Sequence, residues 1–403
     1  VPATERIRPL DAVAALQAVL GLRVLARMGR GGAGARVRSV APAAAGDARI
    51  SVVLPVLNEA GRIGACLEGV LAQGPAVVEV LVVDGGSTDT TADAVAAFSR
   101  LDRRVRLLDA SPVPGDWNGK AWGLQVGFER GDPGCDWILT LDADVRPGAG
   151  LAEALVAHAG RSGVDALSVA TAQSLSGEGE AFVHPALLAT LVYRLGRPGR
   201  AARTVQDVQA NGQCFLVRRD ALAGAGGFQD ARTSLCEDVT LARRLVRDGH
   251  DVGFYESDVP VTVQMYGSGR EAWQNWPRSL TLRDQYAGPA ALLGLVEVSL
   301  VQAAPLPLLI ALLALRGARG RGPGGAPLDL AWPLLVNGVL SAARLGVLVG
   351  TARAYLWRPW TYWLSPLCDV PVAWALWRSL WRRDHIWRGR RMVSSPAPGG
   401  VNE

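Results

Sequence analysis

Hydrophobic positions come in short continuous runs before residue 286 and in long ones after it. In the first part, ISVVLPVLNEA, VEVLVVDGG, VRLLDA and CDWILTLDADV are runs of strand length that end in polar turns. Between them lie helical patterns, an amphipathic stretch over 60–73 and a Thr/Asp-capped one after Asp84. The alternation continues with a strand in VDALSVATA, an apolar helix over 181–196, strands in NGQCFLVRRDAL and GHDVGFYESDV, and a helix over 236–248. Continuous apolar strands alternating with helices predict an α/β fold, a mostly parallel sheet covered on both faces. Ligands of such sheets bind at the carboxyl ends of the strands, which is where NE, DGGS and DAD fall.

The ends of the chain read differently. LDAVAALQAVLGLRVLARM is apolar but interrupted by Arg23 and short for a membrane span, and it lacks a signal-peptide pattern. It predicts an interfacial or packing helix, followed by a Gly/Ala/Arg-rich linker to residue 49. Ala287–Leu315 is apolar except for Glu297 and Gln302, with Pro305 and Pro307 inside it; Leu328–Gly350 holds Arg344, and the aromatic Thr361–Leu376 holds Asp369. Trp and Arg bracket these runs as membrane-interface anchors do. The reading divides the chain into 1–49, a catalytic domain over 50–265, an interface helix region over 266–286, membrane-associated helices with a basic tail over 287–391, and a disordered end over 392–403.

Charge sharpens the membrane reading. Net charge is +5 overall, but the chain from Gln285 onward carries +7 and the 284 residues before it −2. Basic residues mixed with apolar runs and tryptophans favour a membrane surface and argue against nucleic acid. The positive-inside tendency places both basic clusters, RGARGRG and WRRDHIWRGRR, in the cytoplasm. That requires the 29-residue, proline-broken segment 287–315 to dip in and return as a re-entrant hairpin, since it is too short for two crossings. Five cysteines and four histidines show no metal-binding spacing, which fits a reduced catalytic region facing the cytoplasm.

Candidate chemistry sits at the strand ends. Asp142 and Asp144, one residue apart after WILTL, suit a hard divalent cation held together with a diphosphate. Asp84 can accept from a base N–H, Gly86 lets backbone approach a ligand closely, and Pro55, Asn58 and Glu59 fit a similar ligand-edge role. Glu237 and Asp238 open an amphipathic helix, where the helix dipole favours carboxylates and Asp238 can serve as general base. Lys120, in WNGKAWG, is the only lysine beside 41 arginines. A compact ammonium suits a phosphate or sugar oxygen where a planar guanidinium would not fit. Asn211 and Gln213 precede an apolar strand and are candidates for the acceptor side.

In order and at sensible intervals, VVLPVLNEA, VVDGGSTDTT, WNGKAWG, LDADV, NGQCFLVRR and CEDVTLARRL resemble the family 2 inverting glycosyltransferases with a GT-A nucleotide-sugar domain, over roughly 50–285. The apolar C-terminal part resembles the membrane-bound branch, and NGQCFLVRR, EDVTLARRL and WRGRR are most similar to carotenoid- and hopanoid-associated members. The resemblance implies that Asp84 holds the nucleotide base, that Asp142 and Asp144 ligate Mg²⁺ or Mn²⁺ and the donor diphosphate, and that Asp238 is the base. It implies a nucleotide-sugar donor, with UDP the family's usual nucleotide, and a lipid acceptor at the cytoplasmic membrane. Two departures stand out. Gly85 fills a position that is often acidic, and EAWQNWPRSL lacks the Gln-x-x-Arg-Trp motif of processive relatives. Arg278 is then the candidate diphosphate contact, with Trp273 and Trp276 as acceptor or interface aromatics. The alternatives are transfer to a polyprenyl phosphate and a non-catalytic nucleotide-binding scaffold. No GxGxxG follows the first strand, and a scaffold leaves DAD unexplained.

Overall fold

A computed structural model describes residues 9–30, 35–280, 289–317, 329–381, 384–387 and 390–393. The strands are β1 (Arg36–Val37), β2 (Ile50–Val56), β3 (Val77–Asp84), β4 (Val105–Asp109), β5 (Trp137–Leu141), β6 (Val145–Pro147), β7 (Ala166–Val169), β8 (Ala172–Gln173), β9 (Arg200–Ala201), β10 (Cys214–Arg218), β11 (Val252–Ser257) and β12 (Val261–Val263). The helices up to residue 280 are α1 (Pro9–Gly29), α2 (Ile63–Leu71), α3 (Thr91–Leu101), α4 (Gly119–Arg130), α5 (Leu151–Ser162), α6 (Glu178–Leu195), α7 (Arg219–Gly224), α8 (Glu237–Arg247) and α9 (Gly269–Leu280).

The main sheet has the order β1-β11-β7-β10-β5-β2-β3-β4, with β9 beside β11. Its pairs are parallel except those of β10 with β5 and β7, and of β9 with β11. Alternate side chains of the inner strands enter separate cores: Val52, Leu54, Val80 and Val82 on one face, Val53, Leu81, Val83 and Ile138 on the other. Burial on both faces is why these strands read as unbroken apolar runs. The chain builds outward from β2 to β3 and β4, then returns to place β5 on the other side of β2. That reversal opens a crevice at the carboxyl ends of β2, β3 and β5. Strands β6, β12 and β8 form a second small sheet.

Helix α4 lies unusually close to β2 because two glycines face the strand. A Cβ on Gly123 would stand 3.0 Å from Pro55 Cβ, and one on Gly127 would overlap the Val53 side chain. This approach seats the amino end of α4, which carries Lys120, over the crevice. Of the expected linker over 30–49, residues 31–34 lie outside the described residues, and 35–49 are more ordered than their composition suggests. That stretch contains β1, whose pairing with β11 is held by Arg36 between Glu256 and Asp258. A two-residue strand offers no periodicity to read.

Beyond residue 288 the described chain is helical: α10 (Pro289–Glu297), a π-helical turn (Val298–Ala303), α11 (Pro305–Gly317), α12 (Ala331–Thr351), α13 (Trp360–Trp363) and α14 (Asp369–Trp381), followed by the strands β13 (Asp384–Trp387) and β14 (Arg390–Val393). One expectation is corrected: Pro9–Gly29 is long and apolar enough to cross a membrane, as is Ala331–Ala354, although its sequence reads as too short. The segments Pro289–Ala303 and Pro305–Gly317 meet at a bend of 44°, a geometry shared by a broken span and a re-entrant loop. The π turn just before Pro305 accommodates the missing proline N–H at that bend.

The charges inside these apolar runs are paired between helices. Arg344 meets Asp369 at 2.7 and 3.0 Å, and Gln302 donates to the same carboxylate at 2.9 Å. Glu297 accepts from Arg23 and Arg27 of α1, and Gln17 donates to Asn337. Polar groups are turned inward while apolar ones face out: Val19, Leu22, Val349 and Trp374 are 65%, 69%, 63% and 68% exposed. A surface inverted in this way is the arrangement expected of helices solvated by lipid. Replacing Arg344 alone by Leu leaves the Asp369 charge buried with only the Gln302 amide as partner, an expected loss of roughly 3–5 kcal/mol. Arg344→Leu with Asp369→Leu recovers most of it, as thermal unfolding in detergent will read.

Candidate functional site

The crevice is a cleft of about 590 Å³. After β2, Asn58 adopts φ 56° and accepts from Thr88 N–H at 2.8 Å, which ties this loop to the one after β3. Asp84 closes β3 and uses Oδ1 as a turn former: Gly86 N–H, Ser87 N–H and Ser87 Oγ–H donate to it at 3.1, 2.8 and 2.8 Å. Pro55, Asn58, Glu59, Gly85, Lys120, Asp142, Asp144, Gln213 and Glu237 line the cleft, whereas Asp84, Gly86 and Asp238, each next in sequence to a lining residue, do not.

Lys120 is the hub. Asn118 caps α4 by accepting from Lys120 N–H at 3.2 Å and donates to Ser234 O at 2.8 Å, which fixes the helix start against the loop before α8. The Lys120 ammonium reaches Asp142 Oδ1 and Glu237 Oε1, each at 2.7 Å. Burial works against its charge, but Asp142, Glu237 and Asp238 outweigh burial and hold its pKa well above the ordinary lysine value.

Asp144 is the counterpart without a partner. Its Oδ1 is buried and accepts no hydrogen bond. Burial first, then the charges of Asp142 and Glu59, push its pKa up to about 7, while Arg62 and Lys120 pull it down. Asp238 is half-buried at the start of α8 and accepts from Gly212 N–H at 2.6 Å. Burial and then Glu237 raise its pKa to about 6, against the restraining effect of Lys120 and the Val239 and Gly212 N–H groups. A carboxylate titrating near neutrality is matched to taking a proton from a hydroxyl. An orphaned carboxylate oxygen beside Asp142 suits a hard cation.

Gln213 lines the cleft and is held from behind. Its Oε1 accepts from Thr171 Oγ–H at 2.6 Å and from Asn211 Nδ2 at 3.3 Å, so Asn211 positions Gln213 without itself lining the cleft. Trp276, a candidate acceptor or interface aromatic, is buried, with its ring centroid 4.1 Å from that of His184. Trp273 is half-buried against the same apolar cluster. Packing claims these aromatics because α9 turns its apolar side to α6 and α14. Its opposite side presents Glu271, Asn275 and Ser279 to the cleft, an i, i+4, i+8 stripe visible in GREAWQNWPRSL but overlooked beside the tryptophans. Arg62, also overlooked, lines the cleft three residues after Glu59. Arg278 lies on α9, but its side chain is outside the described part of the structure.

The unpaired Asp144 has a cost in stability. Asp144→Asn is expected to stabilise the ligand-free protein by on the order of 2 kcal/mol above pH 7. A carboxylate with a raised pKa destabilises the fold when ionised, so the gain shrinks as pH falls from about 7 toward the ordinary carboxylate range. Thermal melts of both proteins across that range measure it.

Comparison with known proteins fits this geometry. Residues 51–224 match the model of the family described as "Glycosyl transferase family 2". The chain is 31% identical over 246 residues to N-acetylglucosaminyl-diphospho-decaprenol L-rhamnosyltransferase of Mycobacterium tuberculosis, covering 54% of this chain and 78% of that protein. It is 29% identical over 238 residues to the succinoglycan biosynthesis protein ExoA of Rhizobium meliloti, covering 56% and 69%. Among solved structures, the mannosyltransferase PcManGT of Pyrobaculum calidifontis, in complex with GDP-Man and Mn²⁺, superposes with a TM-score of 0.53 at 21% identity over 92% of this chain and 99% of that one. With the GT-A architecture in place and a relative of this similarity matched over most of its length, the chain belongs to glycosyltransferase family 2 and is a glycosyltransferase.

Proposed function

We propose that the protein is a metal-dependent inverting glycosyltransferase that moves a hexose from a nucleotide sugar, with UDP as the expected nucleotide, to a hydroxyl of a membrane lipid such as a carotenoid or another isoprenoid. The observation that carries this reading is the joining of two surfaces by one helix. The face of α9 with Glu271, Asn275 and Ser279 closes the carboxylate cleft, and its other face packs into the outward-apolar helices. An acceptor held by those helices thus reaches the cleft along α9. The proposed setting is the cytoplasmic membrane, with the cleft on the cytoplasmic side, as the basic tail favours.

The residues fit a divalent cation at Asp142 and Asp144, the latter with its buried oxygen unpartnered. Mg²⁺ or Mn²⁺ bound there with the donor diphosphate supplies Lewis-acid neutralisation of the leaving group. The chain supplies the rest. Lys120 and Arg62 add positive charge on the donor side, with Arg278 as a further candidate, and Gly85 and Gly86 let the nucleotide approach the end of β3 beside Asp84. Asp238, steadied by Gly212 N–H, takes the proton of the attacking hydroxyl as its oxygen bonds to the anomeric carbon. The bond from that carbon to the diphosphate oxygen breaks on the opposite face, which inverts the centre. Glu237 is the weaker candidate for the base because its carboxylate is engaged by the Lys120 ammonium.

A second reading is transfer to a polyprenyl phosphate; the mycobacterial relative, whose name specifies an N-acetylglucosaminyl-diphospho-decaprenol acceptor, supports a lipid-linked acceptor but one that already carries a sugar, and so favours a hydroxyl over a phosphate as nucleophile. The two differ in their need for a base, since a phosphate acceptor is already an anion. Membranes containing the protein should convert a labelled nucleotide sugar, in the presence of Mn²⁺ or Mg²⁺ and not with EDTA, to a glycolipid identifiable by mass. Asp238→Asn should lower turnover by about 10²–10⁴-fold. A loss below about tenfold favours the phosphate acceptor, and full transfer with EDTA contradicts the metal role.

A further inference from the structure

We infer that Lys120 is an internal counter-cation that keeps the divalent metal off Asp142 until a nucleoside diphosphate arrives, so that metal and donor bind as a pair. The inference rests on the metal-dependent reading above and adds an order and a coupling to it. The ammonium is held in a shaped niche. It lies 2.7 Å from Asp142 Oδ1 and 2.7 Å from Glu237 Oε1. Bare backbone closes another side: a Cβ on Gly212 would stand 3.1 Å from Nζ and 2.9 Å from Glu237 Oε1. Any side chain at position 212 would therefore press on the ion pair.

Three arguments lead from this geometry to coupling. A divalent ion on Asp142 faces a positive charge on the same carboxylate, a repulsion that weakens metal binding by at least about tenfold at such range. Next, among the described residues no group of three or more His, Cys, Asp or Glu is placed to hold a metal. Protein ligands alone therefore make a weak site, and diphosphate oxygens must complete it. Finally, the incoming diphosphate gives the ammonium a new anionic partner and frees Asp142 for the metal. Because binding free energies are reciprocal, whatever nucleotide does for the metal, the metal does for nucleotide. The identity of the residue follows. An arginine fork would grip a carboxylate through two parallel bonds, whereas an ammonium on a flexible stem exchanges partners by rotation. A chain with 41 arginines keeps its one lysine where exchange is needed.

The test is binding, read from the electron paramagnetic resonance signal of free Mn²⁺ with the full-length protein in detergent, alone and with saturating UDP or GDP. The wild type should bind Mn²⁺ weakly alone and at least about tenfold more tightly with one of the nucleotides. Lys120→Met and the more polar Lys120→Gln should each bind Mn²⁺ alone at least about tenfold more tightly than the wild type, with little further gain from nucleotide. Lys120→Arg, which keeps the charge, should remain weak without nucleotide, so a gain in the neutral variants reports charge and not a loosened fold. Neutral variants that bind Mn²⁺ alone no better than the wild type overturn the inference and leave the metal reading intact. Failure of the wild type to bind Mn²⁺ even with UDP or GDP overturns both.

Discussion

Carboxylates gathered at strand ends repel one another, and this structure collects Glu59, Asp142, Asp144, Glu237 and Asp238 around one cleft with Lys120 and Arg62 as the cations facing them. The imbalance shapes everything near it. Burial first, and then this imbalance, lifts the Asp144 and Asp238 carboxyls toward neutrality, while the carboxylates outweigh burial to hold Lys120 protonated. The surrounding fold exists to maintain that crowding. Glycines at 123 and 127 let α4 close on β2, Asn118 caps the helix start, and Gly212 leaves room for the ion pairs. A site assembled at this electrostatic cost fits the proposed completion by a divalent cation and a nucleoside diphosphate.

The same logic, inverted, organises the helices. Asp369 is paired inside with Arg344 and Gln302, Glu297 is paired with Arg27 and with Arg23 at the rim, and many apolar side chains face outward. Both halves are joined by more than the chain. Leu356 N–H donates to Gln173 O at 3.1 Å, and Gln173 donates to Thr171, which in turn holds Gln213 at the cleft. His184 on α6 meets the Tyr355 hydroxyl at 3.0 Å while stacking on Trp276 of α9. A hydrogen-bonded path thus runs from the outward-apolar region to the wall of the cleft.

Much of this was legible in the sequence, for identifiable reasons. Strands buried on both faces announce themselves as unbroken apolar runs, so β2, β3, β5 and the placing of Asn58, Asp84 and Asp142 at their ends could be read directly. Lys120 was legible through its rarity. Strand β10 was expected, but its antiparallel setting was not, because orientation depends on how the chain returns and not on local pattern. The tryptophans of α9 misled because a large aromatic is equally suited to a binding face and to a core. Only tertiary packing shows which side of α9 is buried, leaving Glu271, Asn275 and Ser279 for the cleft. The partners of the charges inside the apolar runs could not be read from local pattern, since they lie far apart in the chain, more than 270 residues in the case of Arg23 and Glu297.

On the proposed reading, the carboxylate cleft is completed by a divalent cation and a nucleoside diphosphate together. Anomalous diffraction at the manganese edge, from crystals grown with Mn²⁺ and UDP or GDP, tests this. The expected result is a manganese peak beside Asp142, Asp144 and the diphosphate, with the Lys120 ammonium moved from Asp142 to a phosphate oxygen. Manganese bound elsewhere, or a diphosphate seated while Lys120 still bridges Asp142 and Glu237, would contradict it.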